Sequence, residues 1–484
     1  MFRTLRKTTI SVWILLLSLL ASCRDSAVID LSPRQTRAPG FVYLEDGRFM
    51  VDDSVWFPLM LNYKLDIRNS EPYPASYYGG GSFDEHFSQI AEWGFNTVRL
   101  CMDVISEGED TARLFDGAKR MIDTAAAHGL RVMLLVKAPF DGYWKDYTIG
   151  LLRHFATDSD IFAFDLMNEP LYFDPQPDRE KMDAIGIVSK WREMMERYAP
   201  HHLFTVALAE PIEVFEWDPS LLPVDFLEMH TYNPLRVASE MYWYGHYTGR
   251  PWMVGETGLP ADNDSVPYEW QGRFMEESFR CARANGAIGY GWWEFGDFLD
   301  GTNFEAWFTG LRDSQGKEKP ATKKVSELLR QPLPHPAELP TNYFNMLGYS
   351  NLTVSGEVVD SLSGKPIEGA VVRGWNEWWN VGMNTYTHPN GRFNLVSNDM
   401  CVHFEISAPG YTVTKLDIKP KYKSEPDTSL LSNRLLEYQK IDYRPFLIDP
   451  DSSMLTLNPA RFAIGPIAEG DLGTIKLAPI QQKR

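Results

Sequence analysis

The stretch FNTVRL (95–100), followed by a helical segment and by RVMLLV (131–136), decides the fold of this chain. The two runs are short, and the second is apolar throughout after Arg131, which is typical of a strand buried on both faces. The segment between them begins after Thr111, ends at Gly129 and places one apolar face at helical spacing, through Leu114, Ala118, Met121, Ile122 and Ala125. A strand, a helix and a strand in this order predict a parallel βαβ unit.

The same alternation recurs between residues 41 and 331. A capping-box start at Ser82 and Glu85 and a helical pattern over 182–198 are two of the intervening helices. The strand-like runs are 55–62, 95–100, 131–136, 161–167, 203–208, 226–229, 252–254 and 287–292. Eight such units form either a closed (β/α)₈ barrel or an open doubly wound sheet. No G-x-G-x-x-G follows the first strand, so we predict an α/β fold with a TIM barrel over 41–331.

A second region follows the barrel. Four prolines between Gln331 and Pro340 predict a stiff linker, which we place at 332–349. Beyond it the pattern changes to short alternating strands with turn residues, at 352–359, 370–374, 392–396 and 403–407. We therefore predict a small all-β sandwich over 350–480. The runs Gly356–Val372 and Asn390–Phe393 resemble carboxypeptidase-regulatory-like (transthyretin-like) modules, and this resemblance implies a binding or spacer domain.

The N-terminus is predicted to be a targeting segment. An apolar stretch over 10–20, too short to span a bilayer, follows three basic residues, Arg3, Arg6 and Lys7. The segment LASC (20–23) resembles the lipobox of bacterial lipoproteins, which implies removal of a signal peptide 1–22, lipidation of Cys23 and a tether over 23–40. The expected location is the outer membrane of a Gram-negative-type cell envelope, on its periplasmic or outer face, with the lipid as the only membrane attachment. A plain secretory signal is the alternative.

The bulk charge excludes one class of partner. The formal net charge is −18, whereas nucleic-acid binding needs a basic surface. Aromatic residues make up 13% of the chain, a proportion compatible with sugar stacking, although most such rings belong to hydrophobic cores. The expected partner is an oligosaccharide or polysaccharide.

Polar residues follow the predicted barrel strands, where the active sites of such barrels lie. They are Asn62, Arg99, Lys137, Asn168, Glu169, His230, Tyr232, Glu256 and Trp293. Two of them are glutamates that follow different strands. Cleavage of a glycosidic bond needs two carboxyl groups, one that protonates the leaving oxygen and one that attacks the sugar or activates water. The pair Glu169 and Glu256 is therefore the candidate catalytic pair.

The motifs around these residues resemble the family 5 (cellulase family) glycoside hydrolases of clan A. They are MNEP (167–170), VGETG (254–258), HTY (230–232), GYGWW (289–293) and VR (98–99). The resemblance implies a retaining hydrolase of a β-linked glycan, of glucan or mannan type, with Glu169 as acid/base and Glu256 as nucleophile. It also implies that Arg99, Asn168, His230, Tyr232 and Trp293 bind substrate or orient the glutamates, and we add Asn62 and Lys137 to this group.

One position departs from the family pattern. The third strand ends in Lys137 where the family usually has histidine, so the sugar specificity stays open. No cofactor is expected, and no metal site, because His230 has no further ligands at suitable spacing. Two other readings use the same residues. One is a transglycosylase, and the other is a catalytically silent carbohydrate-binding lipoprotein, which would not need both glutamates.

Overall fold

The computed structural model describes residues 29, 31–34, 37–65, 71–102, 110–136, 142–173, 179–234, 236–264, 266–298, 308–336, 352–379, 382–397, 400–424 and 468–480. The predicted signal peptide 1–22, Cys23 and Lys137 lie outside these ranges, as do parts of the predicted tether 23–40 and of the predicted linker 332–349. The predicted domain boundaries stay predictions.

Eight parallel strands close into a barrel, which confirms the predicted fold class. Their order around the barrel is their order in the chain, and the last strand pairs with the first. The strands are β4 (Leu59–Tyr63), β5 (Thr97–Cys101), β6 (Arg131–Leu135), β7 (Ile161–Asn168), β8 (Leu203–Ala209), β9 (Leu227–His230), β10 (Trp252–Glu256) and β11 (Tyr290–Trp292).

Helices connect and flank these strands. They are α1 (Phe83–Trp93), α2 (Thr111–Ala127), α3 (Gly142–His154), α4 (Pro170–Phe173), α5 (Lys181–Tyr198), α6 (Val237–Tyr247), α7 (Tyr268–Ala284) and α8 (Thr322–Leu328), with a 3₁₀ turn at Pro211–Phe215. The predicted capping box is present at α1, where Ser82 and Glu85 bond reciprocally. Among the helices within the described ranges, none has the length and apolarity that crossing a membrane requires.

A small sheet that the sequence analysis missed covers the N-terminal end of the barrel. It consists of β1 (Tyr43–Glu45), β2 (Arg48–Val51) and β3 (Ser54–Val55). Phe49 of this sheet is fully buried and makes edge-to-face contacts with Phe162 and Phe226, at centroid distances of 5.8 and 4.9 Å. The predicted first strand, 55–62, therefore begins too early, because Val55 belongs to this sheet and the barrel strand starts at Leu59.

The C-terminal region forms two four-stranded sheets, as the predicted sandwich requires. One has the order β15-β12-β19-β18 and the other β14-β13-β16-β17. Their facing sides share one apolar core, which includes Val358, Val372, Phe404 and Ile475. The strands are β12 (Leu352–Asp360), β13 (Val371–Asn376), β14 (Gly382–Tyr386), β15 (Arg392–Ser397), β16 (Cys401–Ser407), β17 (Thr414–Asp417), β18 (Lys421–Tyr422) and β19 (Ala468–Leu477).

The sandwich packs directly on the barrel. Trp243 of α6 is buried and donates its indole N–H to the carbonyl of Gly369 at 2.7 Å. Lys181 of α5 donates to the Asp218 carboxylate at 2.8 Å and to the carbonyl of Ala408 at 3.0 Å. Because these bonds are buried and cross from one region to the other, they fix the sandwich against one side of the barrel.

Candidate active site

Arg99 lies at the centre of the site, at the C-terminal end of the barrel. Its side chain is 3% exposed and donates to Asp165 at 2.6 Å, to Asn168 at 2.8 Å and to Asn62 at 2.9 Å. A fourth bond, of 2.5 Å, goes to Oε1 of Glu256. A guanidinium presents several donors in one rigid plane, so Arg99 fixes the orientation of all four partners at once.

Glu256 is held from both sides. Its Oε1 accepts from Arg99, and its Oε2 accepts the hydroxyl proton of Tyr232 at 2.5 Å. Asn62 supports this arrangement from below, because its amide donates to the carbonyls of Gly255 and Trp292 at 3.0 Å each. Asn62 is 1% exposed, so it contacts the residues that hold Glu256 and does not line an open surface.

Glu169 follows β7 and lies next to His230. The two side chains are 2.7 Å apart, between Oε1 and Nδ1, and the same His230 nitrogen lies 3.5 Å from Oε2 of Glu256. The side chain of Glu169 is 15% exposed, against 7% for Glu256. Its backbone has a φ of 44°, a left-handed conformation that non-glycine residues adopt at a cost of roughly 1–2 kcal/mol. Such strain is concentrated at functional sites.

Two buried carboxylates that the sequence analysis missed complete the cluster. Asp165 of β7 and Glu228 of β9 are both fully buried, and Glu228 lies 3.5 Å from Arg99 and 3.7 Å from His230. Neither oxygen of Glu228 has a hydrogen-bond partner among the described residues. A charged residue inside an apolar strand is rarely buried without a specific reason, and this signal is present in IFAFDLM and FLEMH.

Burial and mutual repulsion shift the pKa values in this cluster. Burial and the Glu228 carboxylate raise the pKa of Asp165 to about 7, against the opposing effect of Arg99. For His230, burial lowers the pKa, but the Glu256 charge, the hydrogen bond to Glu169 and the nearby Glu228 carboxylate outweigh it and raise the pKa to about 10. His230 therefore carries a positive charge at neutral pH and lies between the two glutamates.

Gly255 leaves room for the Glu228 carboxylate in this cluster. A Cβ atom at this position would overlap the Glu228 carboxylate. Glycine in the VGETG motif therefore leaves the space that Glu228 occupies beside Arg99.

Trp293 follows β11 at the edge of the same site. It is partly buried, its backbone N–H donates to the carbonyl of Thr257 at 2.8 Å, and its peptide bond to Glu294 is cis. Glu294 is 1% exposed and accepts the hydroxyl proton of Tyr78 at 2.5 Å. Burial raises the pKa of Glu294 to about 8.

Three side chains whose sequence spacing did not suggest a metal site lie close together in the fold. Glu169, His230 and Glu256 each place one donor atom within 4.8 Å of the others, a geometry that could hold a metal ion. These donors are already engaged, because Glu256 accepts from Arg99 and Tyr232, and Glu169 from His230. The Arg99 charge would repel a second cation beside Glu256. The three residues are therefore held by protein partners, Glu256 by Arg99 and Tyr232, and Glu169 by His230.

Eight of the nine strand-end residues from the sequence analysis lie in the described part of the chain. Direct hydrogen bonds join Arg99 to Asn62, Asn168 and Glu256 and join Glu256 to Tyr232. The hydrogen-bonded pair Glu169 and His230 lies next to Glu256, and Trp293 is in the chain that follows β11. Lys137 is the ninth and is outside the described residues. Two carboxylates on opposite sides of one cluster can together supply a proton and a nucleophile to a single bond.

No protein-family model matches the chain, and no curated protein sequence does. The chain is similar in structure to GH5_18 from Streptomyces cattleya, solved with GlcNAc, at 17% identity, 64% coverage of this chain, 86% coverage of that chain and a TM-score of 0.48. The exo-beta-1,4-mannosidase Op5Man5 from Opitutaceae bacterium strain TAV5 aligns at 19% identity, 63% and 62% coverage and a TM-score of 0.47. The endo-1,4-beta-mannanase from Rhizomucor miehei aligns at 12% identity, 62% and 100% coverage and a TM-score of 0.44. At these scores the similarities carry no argument about activity, and the fold rests on the closed order of the eight strands.

Proposed function

We propose that this protein is a retaining glycoside hydrolase that cleaves a β-linked glycan of glucan or mannan type. One observation carries the proposal: the facing oxygens of Glu169 and Glu256 are at most 4.8 Å apart. Retaining enzymes place their carboxyl groups about 5–5.5 Å apart, whereas inverting enzymes need roughly 6.5–9.5 Å to admit a water molecule. The short separation supports direct attack by one carboxylate.

Glu256 is the nucleophile in this mechanism. Arg99 and Tyr232 each bind one of its oxygens, so the carboxylate is fixed in orientation before substrate arrives. Its oxygen attacks the anomeric carbon as the bond to the leaving oxygen breaks, and a covalent glycosyl ester forms. The ester removes the negative charge of Glu256, which is one of the charges that raise the pKa of His230.

Glu169 is the acid/base. In the first step it gives its proton to the leaving oxygen, and in the second step it takes a proton from the water that attacks the ester. His230 holds one of its oxygens, which keeps the carboxyl group directed at the same point as the reaction proceeds. Arg99 binds Oδ1 of Asn168 and so fixes the orientation of its side-chain amide. In the proposed mechanism the Nδ2 group of this amide donates to the sugar. Trp293 supplies an apolar wall for the sugar ring.

The location of the enzyme is part of the proposal. The segment LASC (20–23) supports lipidation of Cys23 and attachment to the outer membrane of a cell envelope. Radiolabelled palmitate should label the wild-type protein and not Cys23→Ala. Labelling of the variant would contradict the anchor without bearing on the catalytic assignment.

The experiment that tests the activity measures both rate and stereochemistry. We expect release of reducing ends from at least one of β-mannan, β-glucan, xylan and the corresponding aryl β-glycosides. Proton NMR during the first turnovers should show the β-anomer of the product before mutarotation. Release of the α-anomer first would show that a water molecule, and not Glu256, attacks the sugar. A folded wild-type protein inactive on the whole panel would contradict the proposal.

Replacing Glu169 tests its role separately from the role of Glu256. Glu169→Gln should lose about 10²–10⁴-fold in kcat/KM on a natural glycosidic bond, which needs protonation of its leaving oxygen. On an aryl glycoside with an acidic phenol the loss in the first step should be much smaller, because this phenolate leaves without a proton. Azide, which attacks the ester without base assistance, should restore turnover and yield a β-glycosyl azide. Equal losses on both substrates would remove the acid/base role from Glu169.

A further inference from the structure

One face of the sheet β14-β13-β16-β17 points away from the sandwich core, and part of it faces the barrel. Neighbouring strands place two rows of side chains on this face. The first row is Arg373, Glu405 and Lys415, and the second is Trp375, His403 and Asp417. Alternation along a strand places the two rows on the same side, about 7 Å apart.

The first row forms one wall of a cavity between the sandwich and the barrel. The cavity has a volume of about 590 Å³, and its opposite wall includes Leu171 and Phe215. Leu171 follows Glu169 by two residues, and the backbone of Tyr172 donates back to the Glu169 carbonyl at 3.0 Å. The cavity therefore lies between α4, the helix that directly follows the proposed acid/base, and Arg373 of the sandwich.

The second row carries an aromatic surface. The ring of Trp379 stacks on His403 with centroids 4.0 Å apart and planes 15° apart, and Trp375 lies 5.2 Å from Trp379. A Cβ atom at Gly382 would lie 2.9 Å from the indole nitrogen of Trp375, so glycine gives that ring room to lie across the sheet. Trp379 is 54% exposed and Trp378, in the same turn, 74%. These rings present a broad apolar face to solvent.

The backbone of Trp379 indicates that this exposed ring is not incidental. Its φ is 57°, a left-handed conformation in which a bulky side chain costs roughly 1–2 kcal/mol and which asparagine or glycine adopts far more readily. Its side chain is more than half exposed, so burial does not explain the choice of tryptophan here. Strain at an exposed aromatic residue points to a role in binding.

We infer that Trp375 and Trp379 form a distal binding site for the pyranose rings of a glycan chain that extends from the active site through the cavity lined by Leu171 and Arg373. The apolar face of a β-linked sugar stacks on an indole ring, and the flanking His403 and Asp417, paired at 2.8 Å, form a polar edge for its hydroxyl groups. The inference rests on the proposed function only for the identity of the glycan.

The test measures binding in a protein that cannot consume its ligand. Glu256→Gln is run by affinity electrophoresis in gels that contain soluble β-mannan, mixed-linkage β-glucan or xylan, and retardation by at least one of them is expected. Adding Trp379→Asn should weaken that binding about tenfold or more, as expected for a lost stacking contact. Asparagine tolerates a φ of 57°, so the thermal midpoint should be equal or higher, which separates lost binding from lost folding.

Tyr242→Ala is the matched control. Tyr242 stacks on His246 of α6 at 3.7 Å and 12°, an aromatic-on-histidine pair on the barrel and outside the proposed site. Its removal in the Glu256→Gln background should leave retardation unchanged. Equal retardation of the Trp379→Asn protein, or no retardation by any of the three glycans, would overturn the inference.

Activity of the otherwise wild-type chain distinguishes this inference from the proposed function. Trp379→Asn should lower the ratio of kcat/KM on the polysaccharide to kcat/KM on its aryl glycoside about tenfold. Hydrolysis with an unchanged ratio would refute the distal site and leave the catalytic assignment standing. Glycan binding that depends on Trp379 in a protein without hydrolytic activity would support the site and refute the proposed function.

Discussion

The two ends of the barrel are built from the same strands but contain opposite kinds of side chain. At the N-terminal end, Met60, Met133, Ala163 and Met253 pack with Phe49 of the small sheet in one apolar cluster. Two or three residues further along β4, β7 and β10 the interior becomes polar, with Asn62, Asp165 and Glu256, and Arg99 of β5 and Glu228 of β9 lie beside them.

This difference separates stability from function along each strand. The N-terminal end buries apolar surface without polar groups, which stabilises the folded state. The C-terminal end buries three acids, Asp165, Glu228 and Glu256, around Arg99 and His230, with the partly buried Glu169 beside them. Desolvated like charges cost free energy and persist where a preorganised site needs them. Mutations at the two ends should therefore have opposite consequences.

The largest expected effect is on catalysis at the C-terminal end. Glu256→Gln keeps the shape of the side chain and removes the proposed nucleophile, so kcat should fall on the order of 10⁴-fold or more. The free energy of unfolding should change by no more than about 1–2 kcal/mol, because Arg99 keeps Asp165 as a partner and one repelling charge is lost.

Initial rates and urea unfolding measure the two quantities. Glu327→Gln, at an exposed position on α8, is the matched control and should match wild type in both. A Glu256→Gln protein that keeps a tenth of the activity would contradict the assignment of function to the C-terminal end. Catalysis would then not depend on Glu256, the carboxylate that Arg99 and Tyr232 hold.

The second effect is on stability at the N-terminal end. Phe49→Ala removes a fully buried ring that contacts Phe162 and Phe226, and should lower the free energy of unfolding by about 3–5 kcal/mol. The kcat of the folded fraction should stay at the wild-type value, since no group of the active site contacts this ring. Val55→Ala, 62% exposed on the same sheet, should cost less than about 0.5 kcal/mol. A change in kcat for Phe49→Ala would show that the two ends are coupled.

The strands and helices of the barrel could be predicted because their periodicity is local. The order of the strands, the sandwich and the capping box at Ser82 all follow from such patterns, and the structure confirms them. The small sheet was missed although its signal is present: Asp46-Gly47 lies between alternating apolar residues, and both have positive φ, 49° and 69°, as a hairpin turn requires.

The missed parts of the site have a different cause. Asp165 and Glu228 lie in strands, and their roles depend on which strands become neighbours in the closed barrel. Glu228 is placed beside Gly255 of β10, whose missing side chain leaves space for it. Sequence alone shows a lone acid in an apolar run, but not that Arg99 lies within 3.5 Å of it. Distances across the barrel are set by its closure and not by any one motif.

The third prediction concerns the pH dependence of stability at the C-terminal end. Burial raises the pKa of Glu294 from an ordinary 4.5 to about 8. Between these values the folded chain holds a proton that the unfolded chain has lost, so the contribution of Glu294 to stability falls as pH rises from about 5 to 8. Glu294→Gln removes this contribution, and its amide oxygen can still accept from Tyr78.

The measurement compares the free energy of unfolding of variant and wild type from pH 5 to pH 8. The variant should gain stability relative to wild type as pH rises, whereas Glu327→Gln should run parallel to wild type throughout. Parallel curves for Glu294→Gln would mean that Glu294 titrates at its ordinary pKa and that this end of the barrel buries one charge more than we infer.

The smallest expected effect tests whether the N-terminal end contributes to stability only and not to catalysis. Gly47 has a φ of 69°, and a Cβ atom there would meet only the Pro251 side chain, at 3.9 Å. Gly47→Ala therefore adds backbone strain without a clash and should cost about 1 kcal/mol, seen as a lower thermal midpoint with unchanged kcat and KM. Gly47→Asn should recover much of this loss, because asparagine tolerates the left-handed conformation. An equal loss for both variants would place the cost in the side chain and not in the backbone, and a change in KM would mean that the strain reaches the opposite end of the barrel.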